Sequence, residues 1–179
     1  MDVIDFVKMQ GLGNDYIFID TISNELSVTQ LEQLQQPAKI AALCDRNFGV
    51  GGDGLVFISL EETGGETGDV FGMKMFNADG SEGRTCGNAL RCIGHYLQKS
   101  QIAETKYMKI KTASGTVNLI AHEGDQIEVN MGSVELMSSP EPLLLEDVKE
   151  PCKENKRKLA LVNLFTEYKN TQFSISTWS

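Results

Sequence analysis

The sequence is poor in the residues that metal centres and nucleic-acid surfaces need. Its 179 residues include only two histidines, four cysteines and one tryptophan. The 16 Lys and Arg are outnumbered by 25 Asp and Glu, which gives a net charge of −9. This charge repels phosphate backbones and anionic membrane surfaces. Binding to nucleic acid or to a membrane surface is therefore disfavoured.

Long apolar runs are also absent. No run approaches the roughly 18 to 20 residues of a membrane-spanning helix, and the first ten residues lack the basic and apolar segments of a signal peptide. Four scattered cysteines in a chain that can bury its own core do not resemble a disulfide framework. We therefore expect a soluble, cytoplasmic protein in which any functional cysteine acts as a thiol.

Strand patterns dominate what is present, with helices in two places, which predicts an α+β fold. The spacing of apolar residues over 28–43 is helical but interrupted by Pro37, which predicts two short helices meeting there. An acidic, proline-bearing stretch covers 137–155 and is a candidate linker. Apolar runs predict strands over 3–9, 15–20, 55–60, 70–76, 106–111, 115–121, 126–131, 159–165 and 173–178.

The clearest helix covers residues 85–99. Its apolar side chains fill an arc of roughly 160°, which predicts a helix largely enclosed by sheet. Cys86 lies on this inward face in the first turn. Arg91 and His95 fall on the remaining, more polar arc, and we expect His95 to be solvated.

The chemistry-bearing residues cluster in 77–88, where a strand leads into this helix. Cys86 at a helix N-terminus meets free backbone N–H groups and the positive end of the helix dipole, which favour a thiolate over a thiol. A thiolate is a base as well as a nucleophile. Gly87 leaves the first-turn amides open to a carboxylate. Neutral hydrogen bonds to an amino acid are expected from Asn14, Asn77 and Asn88.

Other readings of these residues are simpler. Cys44 and Cys92 are expected to be small core residues. Cys86 and Cys92 point about 120° apart on the helix and form no Cys-x-x-Cys pair, so a metal site with His95 is disfavoured. The glycines at 11–13 and 49–54 lack the endings of nucleotide-binding loops, so we interpret them as tight turns.

Four motifs then make the chain resemble the diaminopimelate epimerase family: FVKMQGLGNDY at 6–16, CDRNFGVGGDGL at 44–55, FNADGSEG at 76–83 and CGNALRC at 86–92. The resemblance implies two similar lobes, each a curved, mostly antiparallel sheet wrapped around a central helix, with the active site between them.

The resemblance also implies an activity: cofactor-independent and metal-independent interconversion of LL- and meso-diaminopimelate, in lysine and cell-wall biosynthesis. Two cysteines act on opposite faces of the α-carbon, one as thiolate and one as thiol. The resemblance assigns the first to Cys86 and substrate contacts to Asn14, Asn77, Gly87 and Asn88. A homodimer is compatible with it.

The second lobe of the family carries a Gly-Asn-Pro-His motif, a Glu-Arg pair and a second cysteine in Ala-Cys-Gly, none of which occurs in this sequence. We therefore expect residues 1–120 to form an N-terminal epimerase lobe with the first catalytic cysteine. Residues 121–179 are expected to begin a second, incomplete lobe. Two alternatives stay open: another cofactor-independent amino-acid racemase of the same fold, and a non-catalytic amino-acid-binding fragment.

Overall fold

The computed structural model describes residues 3–63 and 69–132, together with the backbone of 174–176. The predicted strand at 159–165, the proline-bearing stretch and Cys152 lie outside these residues. The helices are α1 (Val28–Leu34), α2 (Pro37–Cys44) and α3 (Gly87–Lys99). The strands are β1 (Val3–Asp5), β2 (Val7–Gly11), β3 (Asn14–Asp20), β4 (Gly54–Glu62), β5 (Val70–Asn77), β6 (Glu82–Gly83), β7 (Tyr107–Thr112), β8 (Gly115–Ala121), β9 (Ile127–Val129) and β10 (Ser174–Ser176).

One curved sheet contains most of these strands. Its order is β2-β3-β4-β5-β7-β8-β9, with β6 paired to β5. The pairs β3–β4 and β5–β7 are parallel and the other pairs of this sheet are antiparallel. Helix α3 contacts β2 at one edge and β8 and β9 at the other, so the sheet curves around the helix. The expected α+β fold, with a mostly antiparallel sheet around a central helix, is confirmed.

Side chains alternate between two apolar cores on the two faces of the sheet. The inner core surrounds α3 and includes Phe18, Met75 and Leu90. The outer core lies beneath α1 and α2 and includes Ile17 and Ile40. Because both faces are covered, strands such as β3 are apolar at successive positions rather than at every second one.

The two short helices form as the sequence predicts. Ser27 caps α1 by accepting a hydrogen bond from the backbone N–H of Gln30, whose side chain accepts one from the N–H of Ser27. Pro37 occupies the first turn of α2, where its missing N–H costs no helical hydrogen bond. The proline therefore separates the two helices.

Helix α3 is more enclosed than its pattern predicts. Arg91 is only 1% exposed, although its position falls on the polar arc. The expectation that His95 is solvated is wrong, since its side chain is 14% exposed and lies 3.9 Å from Asp125. The cause is the β8–β9 end of the sheet: a Cβ at Gly94 would lie 2.8 Å from the Ile127 side chain. This end of the sheet covers a side of the helix that periodicity assigns to solvent.

The sheet continues past the predicted lobe boundary at residue 120. Strand β9 pairs with β8, and β1 pairs separately with β10 near the end of the chain. The division into residues 1–120 and 121–179 stays a prediction. None of the helices in the described part of the chain has the length and apolar composition needed to cross a bilayer.

Candidate active site

The first motif packs against the start of α3. Strands β2 and β3 are joined through Leu12 and Gly13, which both have positive φ (55° and 89°), as in a type I′ hairpin turn. This turn places Asn14 opposite Gly11 in the strand pair. A Cβ at Gly11 would lie 3.2 Å from the carbonyl oxygen of Asn88. The glycine thus allows the hairpin to lie directly on the first turn of the helix.

Cys86 is the N-cap residue of α3, and its thiol meets a buried tyrosine. The backbone of Cys86 is extended, and its side chain does not cap the helix. Its Sγ atom lies 3.2 Å from the hydroxyl oxygen of Tyr16, which also accepts a hydrogen bond of 3.4 Å from Asn14 Nδ2. Burial, followed by the hydrogen bond to Cys86, raises the pKa of Tyr16 to about 12. The tyrosine is therefore a neutral hydroxyl at neutral pH.

Gly87 and Asn88 form the start of the helix beside Cys86. Because Cys86 does not cap them, the first-turn amides have no side-chain partner from the N-cap residue. The guanidinium of buried Arg91 donates to the side-chain oxygen of Asn88. This bond fixes the amide and leaves its NH₂ group as the donor. Burial lowers the pKa of Arg91, but an arginine stays cationic at neutral pH, and its charge acts on Cys86.

Asn77 lies across the sheet from Tyr16. Tyr16, Gly54 and Asn77 are register partners on β3, β4 and β5, and the alternation along β5 puts Asn77 on the sheet face that α3 covers. Asn77 donates from Nδ2 to Ser81 Oγ at 2.9 Å. A Cβ at Gly54 would lie 2.2 Å from the carbonyl oxygen of Phe76, so glycine allows the start of β4 to approach the backbone of β5 closely.

An ion-pair cluster of Lys8, Asp15, Arg46 and Asp53 joins the first two motifs. Arg46 donates to both carboxylate oxygens of Asp15, at 2.7 and 3.2 Å, and to Asp53 at 2.8 Å. Lys8 pairs with Asp15 as well. Burial acts to raise the pKa of Asp15, but the hydrogen bonds from Arg46 and Lys8 outweigh it and lower this pKa to about 2.

Backbone bonds extend this cluster to the third motif. The N–H of Asp15 donates to the Asp53 carboxylate at 3.0 Å, and the N–H of Asp53 donates to the Asp15 carbonyl at 2.7 Å. The N–H of Ala78 donates to the carbonyl of Asp53 at 3.1 Å. The residues flanking Asn14 and Asn77 are thereby tied to one loop.

The other two described cysteines are buried, as expected. Cys44 lies in the outer core and Cys92 in the inner core. Burial raises the pKa of Cys44 to about 11 and that of Cys92 to about 12. Within residues 3–63 and 69–132, no three His, Cys, Asp or Glu side chains converge on a point that could hold a metal ion.

The structure brings four of the predicted site residues together at the start of α3: Cys86, Asn14, Gly87 and Asn88. Asn77 lies on the same sheet face, two strands from Tyr16. Sequence reasoning missed Tyr16 and Arg91. The two-residue period of β3 could have identified Tyr16, since it shares a face with Asn14, whereas the polar arc of α3 concealed Arg91.

Comparisons with known proteins match the part of the chain that contains these residues. The family model described as diaminopimelate epimerase matches residues 6–137. The chain is 36% identical to the diaminopimelate epimerase of Leptospira biflexa over 141 residues, which cover 79% of this chain and 45% of that relative. It is 34% identical to that of Halothermothrix orenii over 194 aligned positions, which cover 98% of this chain and 64% of the relative.

A crystal structure of a hydroxyproline epimerase from Agrobacterium vitis, with bound trans-4-hydroxy-L-proline, has a TM-score of 0.51 to this chain. The sequences are 12% identical, and the match covers 72% of this chain and 41% of that one, so the likeness concerns the fold alone. The chain spans about half the length of the curated relatives it matches. On the family model and these relatives, the chain belongs to the diaminopimelate epimerase family.

Proposed function

We propose that this chain carries one half of a diaminopimelate epimerase active site, in which Cys86 exchanges the α-proton of a bound amino acid. The observation that carries this proposal is the position of Cys86 Sγ. It lies half-buried at the open end of α3, in contact with Tyr16 and beside the amides of Gly87 and Asn88. An α-proton is weakly acidic, so its removal needs a placed base and stabilisation of the resulting negative charge.

The start of α3 supplies that stabilisation. The first-turn amides and the positive end of the helix dipole attract a carboxylate, and the absent side chain of Gly87 leaves them accessible. The Asn88 NH₂ group adds a neutral donor beside them. As the thiolate of Cys86 takes the α-proton and becomes a thiol, the C–H electron pair moves toward the carboxylate. The same amides then stabilise the greater charge.

Inversion requires a second group that delivers a proton to the opposite face of the α-carbon. Cys44 and Cys92 do not supply it, because each is buried in an apolar core. The relatives extend over about twice the matched length, which supports a second group in that further part of the family. On this proposal, residues 1–120 are the lobe with the first base and residues 121–179 begin the second lobe.

The proposal also specifies the substrate of the protein and the compartment in which it acts. The substrate is a small amino acid, with diaminopimelate as the specific case, and no cofactor takes part. Cys44, Cys86 and Cys92 are free thiols, which fits a reducing, cytoplasmic compartment. A homodimer stays a prediction.

The test uses the protein encoded by the whole open reading frame, read to its stop codon. LL-diaminopimelate is incubated with it in D₂O, deuterium at the α-carbon is measured by mass spectrometry, and the isomers are separated by chiral chromatography. We expect meso-diaminopimelate carrying deuterium. The Cys86→Ala variant should lose about 10²- to 10⁴-fold in rate, the usual contribution of a general base. The matched Cys92→Ala variant should stay within about twofold, since Cys92 lies outside the site.

Two outcomes contradict the proposal. Inversion of diaminopimelate that survives Cys86→Ala at the wild-type rate removes Cys86 from the chemistry. Exchange of another amino acid, with diaminopimelate unchanged, makes the protein a different racemase. The 179-residue chain is tested beside it, and we expect it not to invert diaminopimelate at an enzymatic rate.

A further inference from the structure

The hydroxyl of Tyr16 is held against Cys86 from several sides. The tyrosine is 5% exposed, and its ring packs edge-on to Phe18 with the centroids 6.2 Å apart. Strand β3 fixes its backbone between β2 and β4. The hydroxyl oxygen then lies 3.2 Å from Cys86 Sγ and 3.4 Å from Asn14 Nδ2. The ring cannot leave this position without exposing part of the inner core.

The hydrogen-bonding capacity of a hydroxyl suits this position. It has one hydrogen to donate and two lone pairs to accept. Asn14 Nδ2 occupies one lone pair, which leaves the hydrogen and the second lone pair for the sulfur. A thiolate sulfur accepts the hydrogen, and a thiol S–H donates to the lone pair, so either atom can be the donor in this contact.

The charged and titratable groups around the sulfur favour this arrangement. Tyr16 faces Cys86 from β3, and Arg91 and Cys92 act on it from α3. Cys92 is uncharged at neutral pH because burial raises its pKa to about 12. Asp53 acts on Tyr16 and, like burial, disfavours the phenolate. Tyr16 thus keeps its proton, and Arg91 is the cation of this set.

We propose that the Tyr16 hydroxyl is the hydrogen-bonding partner of Cys86 in both protonation states that the reaction needs, donating to the thiolate and accepting from the thiol. Its role in catalysis rests on the proposed function. When the thiolate takes the substrate's α-proton, the new S–H bond turns toward the tyrosine oxygen and the tyrosine hydrogen turns away. No proton passes to or from the tyrosine, so the charge lost by the sulfur equals the charge gained by the substrate.

The hydrogen bond that Tyr16 donates to the thiolate and the one that it accepts from the thiol differ in strength. An O–H bond donated to a charged sulfur is stronger than a bond from the weak S–H donor to a neutral oxygen. The tyrosine therefore favours the thiolate over the thiol. Tyr16→Phe removes one oxygen and keeps the ring, so it should lower the thiolate population without opening the core.

The test measures alkylation of the 179-residue chain by iodoacetamide over a range of pH. Mass mapping of the Cys86 peptide separates its labelling from that of the other cysteines. We expect Tyr16→Phe to slow Cys86 alkylation about three- to tenfold at neutral pH, since fewer thiolates form but each is somewhat more nucleophilic. The deficit of the variant should shrink as the pH rises, because alkali forms thiolate in both proteins.

A second tyrosine provides the matched control. Tyr96 packs against the same core, donates to Asp20 Oδ2 at 2.9 Å, and also has its pKa raised to about 12, first by burial. Its hydroxyl bonds Asp20 rather than Cys86. Tyr96→Phe should therefore leave the Cys86 rate within about twofold at every pH.

Equal rates for the wild type and Tyr16→Phe at neutral pH overturn the proposal. A lower rate that persists at alkaline pH also overturns it, because it reports altered access to the sulfur. If circular dichroism shows that Tyr16→Phe does not fold, 3-fluorotyrosine is placed at position 16. This more acidic phenol should raise the neutral-pH rate, and an unchanged rate contradicts the proposal.

The outcome is separable from that of the proposed function. Iodoacetamide needs neither an amino-acid substrate nor a second base, so the assay reports on the Tyr16–Cys86 contact alone. A positive result with no epimerisation keeps the contact and removes the proposed enzyme. If Tyr16→Phe leaves the alkylation rate unchanged while the whole-frame protein epimerises diaminopimelate, the proposed enzyme stands and the role of Tyr16 is removed.

Discussion

Helix α3 carries two cysteines, one at each of two sites with opposite environments. Cys86 is the N-cap residue at its open end, half-buried and in contact with the Tyr16 hydroxyl. Cys92 lies about one and two-thirds turns further along, fully buried, with its pKa raised by that burial to about 12. The position of a thiol along one helix therefore decides its chemistry.

The two regions are also held in different ways. The body of α3 packs among apolar side chains of the inner core, including Leu90, Ile93 and Leu97. At its open end the hairpin of the first motif packs on the first turn, and the ion-pair cluster and backbone hydrogen bonds tie that hairpin to the second and third motifs. Apolar burial keeps the helix in place, while polar contacts arrange the groups around Cys86.

Thiol alkylation is the sharpest way to test this comparison. In the native chain at neutral pH, iodoacetamide should label Cys86 before Cys44 and Cys92, which should react at least about a hundredfold more slowly. Burial holds the pKa of Cys44 at about 11 and that of Cys92 at about 12, so almost no thiolate forms at either. Peptide mapping by mass spectrometry after timed labelling measures the three rates.

The control is the same labelling in concentrated guanidinium chloride, where the rates of the three thiols should converge. Earlier labelling of Cys44 or Cys92 in the folded chain would contradict the contrast between the two regions. Slow labelling of all three, followed by convergence on unfolding, would show instead that the open end of α3 is closed to the reagent.

The sequence predicts these two regions unequally. The helix, the hairpin that contacts it and the break at Pro37 depend on local periodicity and turn residues, and the structure confirms them. The partial burial of His95 depends on how far the β8–β9 end of the sheet reaches around α3, which no local pattern contains. The burial of Arg91 is likewise absent from the periodicity of the helix. Tyr16 pairs with Cys86 across 70 residues, so its role depends on register between distant elements.

Glycine-to-alanine substitutions in the body and at the open end of α3 should have different effects on the free energy of unfolding. At Gly94, in the body, a Cβ would lie 2.8 Å from Ile127 and 3.0 Å from Leu119. Overpacking of this kind costs about 1 to 3 kcal/mol, which exceeds the gain in helix propensity. Gly94→Ala should therefore lower the free energy of unfolding, measured in urea.

At Gly87, in the open end, a Cβ would contact, among the described residues, just the flexible Met131 side chain, with Sδ at 3.5 Å and Cε at 3.8 Å, both ordinary contact distances. Gly87→Ala should keep the free energy of unfolding within about 1 kcal/mol of the wild type or raise it. It should weaken amino-acid binding by the whole-frame protein, measured by calorimetry, because the methyl group covers the first-turn amides. Equal losses of stability at the two glycines would contradict the comparison.

Acid should weaken the open end before the body. Burial acts to raise the pKa of Asp15, but the hydrogen bonds and charges of Arg46 and Lys8 outweigh this effect. The pKa of Asp15 therefore falls from 3.8 to about 2. A carboxylate with a lowered pKa stabilises the fold at pH above its unfolded value, and that contribution is lost as the pH falls from about 4 through about 2. The loss should be about 1 kcal/mol, because solvent reaches these partly exposed side chains.

Urea unfolding at several pH values measures this loss, and Asp15→Asn should remove the corresponding part of the pH dependence. Glu61→Gln is the control, because the Glu61–Lys111 pair at 3.4 Å is more exposed and lies away from the motif loops. Its effect should be a few tenths of a kcal/mol at most. If Asp15→Asn and the wild type lose the same stability between about pH 4 and about pH 2, the ion-pair cluster does not hold the loops. The arrangement of Asn14 beside Cys86 would then depend on its strand pairing with Gly11, its hydrogen bond to Tyr16 and the close approach of Gly11 to Asn88.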